Sequence, residues 1–128
     1  MTRGIHLITE FILNEITELK KFKMGIANLF IMHTSASLSI NENFDNSVLN
    51  DMENFFLKLV PDNIPYFTHT DEGPDDMTSH IKASIFGASL NIPVKDGKLL
   101  LGQWQGIYLC EHRENSRPRT ITITIMGE

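Results

Sequence analysis

At 128 residues the chain is long enough to bury a core of its own, and its single cysteine excludes an internal disulfide. A hydrophobic share of 41% with 21% charged residues is that of an ordinary globular protein, and no apolar run approaches the ~20 residues that span a bilayer. Eleven basic against sixteen acidic residues leave a net charge of −5, which argues against a nucleic-acid surface but not against a small anion held by a local arginine or helix end.

The first residues, MTRGIHLITEFILNEI, lack the pattern of a secretory signal, so a cytoplasmic location is expected. Gly4 to Thr9 reads as a strand, and Glu10 to Phe22 as an amphipathic helix with Phe11, Ile12, Ile16 and Leu19 on one side. Ile26 to Met32 is a continuous apolar run, the pattern of a buried strand, and it delivers His33. Thr34 to Asn43 alternates Leu38 and Ile40 with Ser37, Ser39 and Asn41, a second strand expected to join the first through a small-residue turn.

Asp45 to Val60 carries the clearest helical stripe, Val48, Leu49, Met52, Phe55, Phe56 and Leu59, expected in the core, with Asn43 or Asp45 as cap and Pro61 beyond its end. An irregular connection follows through Asn63, Pro65, Gly73 and Pro74. A helix capped by Asp76 or Thr78 then runs to about Gly87, with Ile81, Ile85 and Phe86 as its buried side. Ser89 to Val94, Lys98 to Leu101, Gln105 to Cys110 and Thr120 to Met126 read as four strands, with Asp96-Gly97 as a hairpin turn between the first two. Strands at both ends and helices in the middle give an α+β chain of one domain, 1–128.

Chemistry concentrates between His69 and Lys82, HTDEGPDDMTSHIK. With His33, the imidazoles of His69 and His80 form a candidate set for zinc or another borderline metal, although their spacing matches no zinc motif and each has a structural alternative. Near a helix start, His80 can serve as base or hydrogen-bond donor beside an anion. Asp71, Glu72, Asp75 and Asp76 can hold Mg²⁺ or stay solvated. Ser35 and Ser37 lack the surroundings of a hydrolase nucleophile and suit phosphate binding better. Trp104 and Gln105, between Gly102 and Gly106, offer a stacking face and an amide, or a core aromatic and its neighbour. Arg119 is the candidate phosphate contact, with a rim salt bridge as its alternative.

Taken together, HTSASLSINEN at 33 to 43, the HxxEG and SHIK elements within His69 to Lys82, and SLNIPV followed by LGQWQGI at 89 to 107 closely resemble the YjbQ-like family over nearly the whole chain. The resemblance implies a compact α+β fold with β-sandwich-like sheets, assembled as a homotrimer. It also implies kinship with the group described as secondary thiamine-phosphate synthases, transferases that join a pyrimidine diphosphate to a thiazole phosphate. The residues it carries over are His33, Ser35 and Ser37, then His69, Glu72 and His80, then Trp104 and Gln105, as one pocket for a small phosphorylated molecule. Catalysis is then expected from His33, His69 and His80 with Glu72, and a divalent metal, zinc or Mg²⁺, on the same three histidines. The alternative is a metal- or phosphate-binding trimer without efficient catalysis. Two departures stand out: Gln103 replaces the family's frequent threonine, and the family's usual additional strand before the stretch matching Arg3-Gly4 is not expected here, so that one sheet edge is either missing or differently covered.

Overall fold

In the computed structural model, which describes residues 1–128, strand β1 (Gly4–Leu7) is followed by helix α1 (Thr9–Glu15) and a 3₁₀ turn (Thr17–Lys21). Then come β2 (Met24–Ile31), β3 (Ala36–Glu42), α2 (Asn46–Leu59), α3 (Asp76–Phe86), β4 (Ser89–Lys95), β5 (Lys98–Leu99), β6 (Gln105–Glu111) and β7 (Ile121–Gly127). The antiparallel strands form a three-stranded sheet, β1-β6-β3, and a four-stranded sheet, β5-β4-β2-β7. The α+β expectation with two sheets and helices is met.

The sheets enclose the main core. Ala27, Leu29 and Ile31 of β2 and Ile92 and Val94 of β4 meet Ala36 and Leu38 of β3 and Ile107 and Leu109 of β6, while Ile8, Ile12, Ile16 and Leu19 close one end. The opposite face of the three-stranded sheet presents Ile5, Tyr108 and Cys110 to Leu49 and Met52 of α2 and Phe86 of α3. Strand β6 is therefore buried from Gly106 to Glu111 without a break, as a strand covered on both faces must be. Strand β7 alternates half-buried Ile121, Ile123 and Ile125 with exposed Thr122 and Thr124, as a strand covered on one face should.

Several expectations change. The helix from Glu10 to Phe22 is two pieces, broken at Ile16 (φ −114°, ψ 57°), where two β-branched residues, Ile16 and Thr17, stand in succession. Strands β2 and β3 are not a hairpin within one sheet; residues 32–35 carry the chain from one sheet to the other. No α2 residue is fully buried, and Phe55 and Leu59 are exposed, so the stripe expected in the core is only half covered. Its cap is Asp45, whose carboxylate accepts from the Ser47 N–H at 2.9 Å.

Helix α3 departs furthest. Its fully buried residues are Asp76, Thr78, Ser79 and Lys82, whereas Ile85 is exposed. Neither Asp76 nor Thr78 caps it; Asp75 holds the cap position without a side-chain cap and instead accepts from the Glu114 N–H at 2.8 Å. The polar side turns inward because its partners arrive from elsewhere: Thr78 donates to Asp62 at 3.0 Å, and Ser79 to the His112 carbonyl at 2.8 Å. The Asp96-Gly97 turn forms as expected, with φ 50° and 76° at its two residues.

Candidate functional site

The inward polar face of α3 builds the site. Asp76 is buried, and its Oδ2 lies 2.5 Å from His69 Nε2 and 3.3 Å from His80 Nε2. His69 arrives from the loop before α3, and His80 stands one helical turn after Asp76 on the same face. The coordinating atoms of these three residues all lie within 4.8 Å of one another.

Further contacts orient His80 and Asp76. His80 Nδ1 lies 2.9 Å from the Thr34 carbonyl, which only accepts, so Nδ1 carries the proton and Nε2 is turned towards Asp76. Arg113 pairs with Asp76 Oδ1, and its Nη2 donates to the Glu72 carbonyl at 2.8 Å, tying the loop to the helix. Burial pushes the Asp76 carboxyl up, but hydrogen bonds with His69 and Glu72 and the charges of His80 and Arg113 outweigh it and hold the group below the usual carboxylate range. Two imidazoles and a carboxylate, with His80 and Asp76 each oriented by a further partner, are a donor set able to hold a divalent metal ion.

His33 stands apart from that cluster. The Thr120 N–H donates to its Nε2 at 2.8 Å, so this nitrogen has no lone pair left for a metal and the ring proton sits on Nδ1. It therefore does not join His69 and His80 as expected from the sequence; the residue that lies beside them is Asp76. His33 does share a cavity of about 550 Å³ with Thr34, His80 and Ser84, so His80 stands between the cluster and this space.

The remaining candidates scatter. Glu72 is exposed, and its main-chain carbonyl makes the fixed contact with Arg113. Ser35 accepts from Arg119 Nη2 at 3.0 Å, whereas Ser37 is buried on the helix side of β3, its hydroxyl 2.8 Å from His112 Nε2. Arg119 is committed to Glu111, donating to its two oxygens at 2.7 and 2.6 Å. Trp104 is exposed with its ring edge-on to Phe44, centroids 5.4 Å apart, and Gln105 pairs with Glu42 at the far end of β3. Since Ala36, at the other end of β3, is the residue near His33, six residue steps of strand or roughly 20 Å separate this turn from the histidines within one chain. The single pocket expected from the resemblance is thus two separate places in one chain.

Comparison with known proteins places this arrangement. The model of the UPF0047 protein YjbQ-like family matches residues 1–128. The chain belongs to the YjbQ/UPF0047 family. The UPF0047 protein YjbQ of Salmonella typhimurium is 52% identical over 126 residues, 98% of this chain and 91% of that one. Among solved structures, a yjbq/upf0047 family protein of Clostridium acetobutylicum superposes with a TM-score of 0.82 at 34% identity, covering 95% of this chain and 90% of that one. The conserved hypothetical protein TT1486 of Thermus thermophilus does so with a TM-score of 0.84 at 26% identity, covering 98% and 94%. The fold read from the YjbQ-like motifs is therefore the observed one, and no helix is long and apolar enough to cross a membrane.

The reading of this family member from sequence missed the EHR run at the end of β6. Glu111 is fully buried on Arg119, His112 is buried against Ser37, and Arg113 orients Asp76. Burial pushes the His112 imidazole down to about 3, so it is neutral in the fold. The available signal was three ionisable residues directly after an unbroken apolar run, a place where charge is buried or functional. Lys82 was missed as well: it is 1% exposed, its Nζ has no hydrogen-bond partner, and burial pushes its ammonium down.

Proposed function

We propose that the chain binds one divalent metal ion on His69, Asp76 and His80 and acts on a small phosphorylated molecule admitted through the cavity beside His33. The observation that carries this reading is the pair of outer contacts, Thr34 on His80 Nδ1 and Arg113 on Asp76 Oδ1, which leave Nε2 and Oδ2 facing the same point as His69 Nε2. Two imidazole donors suit zinc better than Mg²⁺, which prefers oxygen. A bound ion supplies Lewis-acid stabilisation of a phosphate or pyrophosphate oxygen.

The chain's own residues do the rest. Arg113 and Thr34 hold the ligands in place, and His33, with Nε2 taken by Thr120, has only its Nδ1–H to offer as a donor to a substrate oxygen. Attack of the ring nitrogen of a thiazole phosphate on the methylene carbon of a pyrimidine diphosphate, forming a C–N bond as the C–O bond to pyrophosphate breaks, is the reaction implied by the resemblance and the first to test, since both substrates carry phosphate. A homotrimer in the cytoplasm is the proposed form; exposed Met24, Ile26 and Phe30 along β2, Met32 just past its end and Met126 on β7 supply an apolar face for self-association.

Untagged protein titrated with Zn²⁺ should take one ion per chain with a rise in Tm, and His69→Ala, a substitution at a half-exposed side chain, should weaken that uptake by roughly tenfold or more. Equal zinc uptake by the variant sinks the metal site. Stoichiometric uptake without turnover of the two phosphates leaves the binding module in place of the transferase.

A further inference from the structure

Ser35, between two residues of the His33 cavity, hydrogen-bonds Arg119, and Arg119 lines a second cavity of about 420 Å³ that the proposed function does not use. That volume lies within the range of small-molecule sites, ~300–1,000 Å³. Leu7 of β1, Phe11 of α1, Leu109 of β6 and Ile121 of β7 make an apolar wall. Glu111, Arg117 and Arg119 make its charged end.

The charges at that end do not cancel. Glu111 is fully buried, and although burial pushes its carboxyl up, the hydrogen bonds led by Arg119 hold it below the usual range, so it is ionised and neutralises one guanidinium. Arg119 spends Nε and Nη2 on Glu111 and Ser35, whereas its Nη1 has no protein hydrogen-bond partner. Arg117 is exposed and makes no ion pair. Two guanidiniums against one carboxylate therefore line a cavity that is otherwise mostly apolar, with Ser116 and Met1 also in its lining, a combination that favours an anionic group on an apolar body.

We propose that this cavity binds a small amphipathic carboxylate, its apolar body against Leu7, Leu109 and Ile121 and its carboxylate at Arg117 and the free edge of Arg119. The site is separate from the metal cluster and does not depend on it. A carboxylate brings one negative charge beside ionised, buried Glu111, whereas a phosphate dianion brings two.

Calorimetric titration of the full chain in the presence of EDTA tests this with phenylacetate, against phenethyl alcohol, acetate and phenyl phosphate. The expected result is saturable binding of phenylacetate, with affinity roughly tenfold or more lower for the alcohol and for the Arg117→Ala chain, because each removes one partner of a charged contact. Arg117 is exposed, so that variant keeps its fold. Four outcomes overturn the proposal: no saturable phenylacetate binding, an alcohol that binds as tightly as the acid, an unchanged Arg117→Ala chain, or binding that appears only when zinc replaces EDTA. Tighter binding of phenyl phosphate overturns the assignment of a monoanion.

Discussion

The two sheets are made alike and used differently. The three-stranded sheet is covered on one face by the four-stranded sheet and on the other by α2 and α3, whereas the four-stranded sheet turns Ile26, Phe30 and Met126 outward with no covering element. Charge follows the cover. Glu111 and His112 are buried at the end of β6, beside the helix that carries Asp76 and His80, whereas the inward residues of β2 and β7 are all aliphatic. Burying an ionisable group requires partners on several sides, and only the doubly covered sheet has them. The difference leaves buried charge on one sheet and an open apolar face on the other.

The sharpest way to break this contrast is to remove a buried charge. Glu111→Gln leaves Arg119, itself only 10% exposed at its side chain, without its counter-charge. Such a loss costs about 3 kcal/mol or more, read as a lower urea midpoint, whereas Thr124→Ala on the outward face of β7 should stay within about 0.5 kcal/mol. Equal effects would mean that the covered sheet is not electrostatically special.

Acid sharpens the contrast next. His112 is neutral in the fold with its imidazole pushed down to about 3, while in the unfolded chain it protonates near its ordinary value of about 6.5. Between those values the unfolded state binds the extra proton, so stability is full above the unfolded pKa and falls as pH drops below it, by up to about 1.4 kcal/mol per pH unit. Thermal unfolding of His112→Gln at a series of pH values should show a flatter decline between roughly pH 6 and 4 than the parent chain. An unchanged slope would assign the acid sensitivity to other groups.

A smaller effect probes the helical cover itself. Asp45→Ala removes the N-cap of α2 and should cost about 1 kcal/mol. Cys110 lies against the core contact that Leu49 and Met52 of α2 make, and burial pushes its thiol up to about 12, so it reacts only when the cover opens. Thiol labelling under native conditions should then run about fivefold faster in Asp45→Ala, with no change in that rate for Thr124→Ala.

What was legible in the sequence was what local pattern decides. The Ile121, Ile123, Ile125 alternation, the Asp96-Gly97 turn and the Asp45 cap need no distant partner, and each is where the pattern put it. His69 and His80 were legible as a pair because a loop and one helical turn suffice to bring them together. His33 was expected beside His69 and His80 but stands apart from them, because the group that occupies its Nε2 is the N–H of Thr120, 87 residues away. The buried face of α3 was misread for the same reason: Ile81 and Ile85 carry the apolar pattern, but Arg113, Asp62 and His112 reach Asp76, Thr78 and Ser79 across separations that no helical period encodes.

The smallest expected change in the fold comes with the largest change in assembly. Phe30 is 46% exposed on the outward face of β2, one strand from the β7 edge and opposite Thr122. A lysine there loses little packing within the chain, so the circular dichroism spectrum should be that of the parent and monomer stability should change by no more than about 0.5 kcal/mol. In an associated form the same position is desolvated against a neighbour, and a charge without a partner is costly there. Phe30→Lys should therefore sediment as a monomer under conditions where the parent chain sediments as a trimer. If both sediment alike, the open face of the four-stranded sheet is not the association surface, and the contrast between the sheets reduces to where charge is buried.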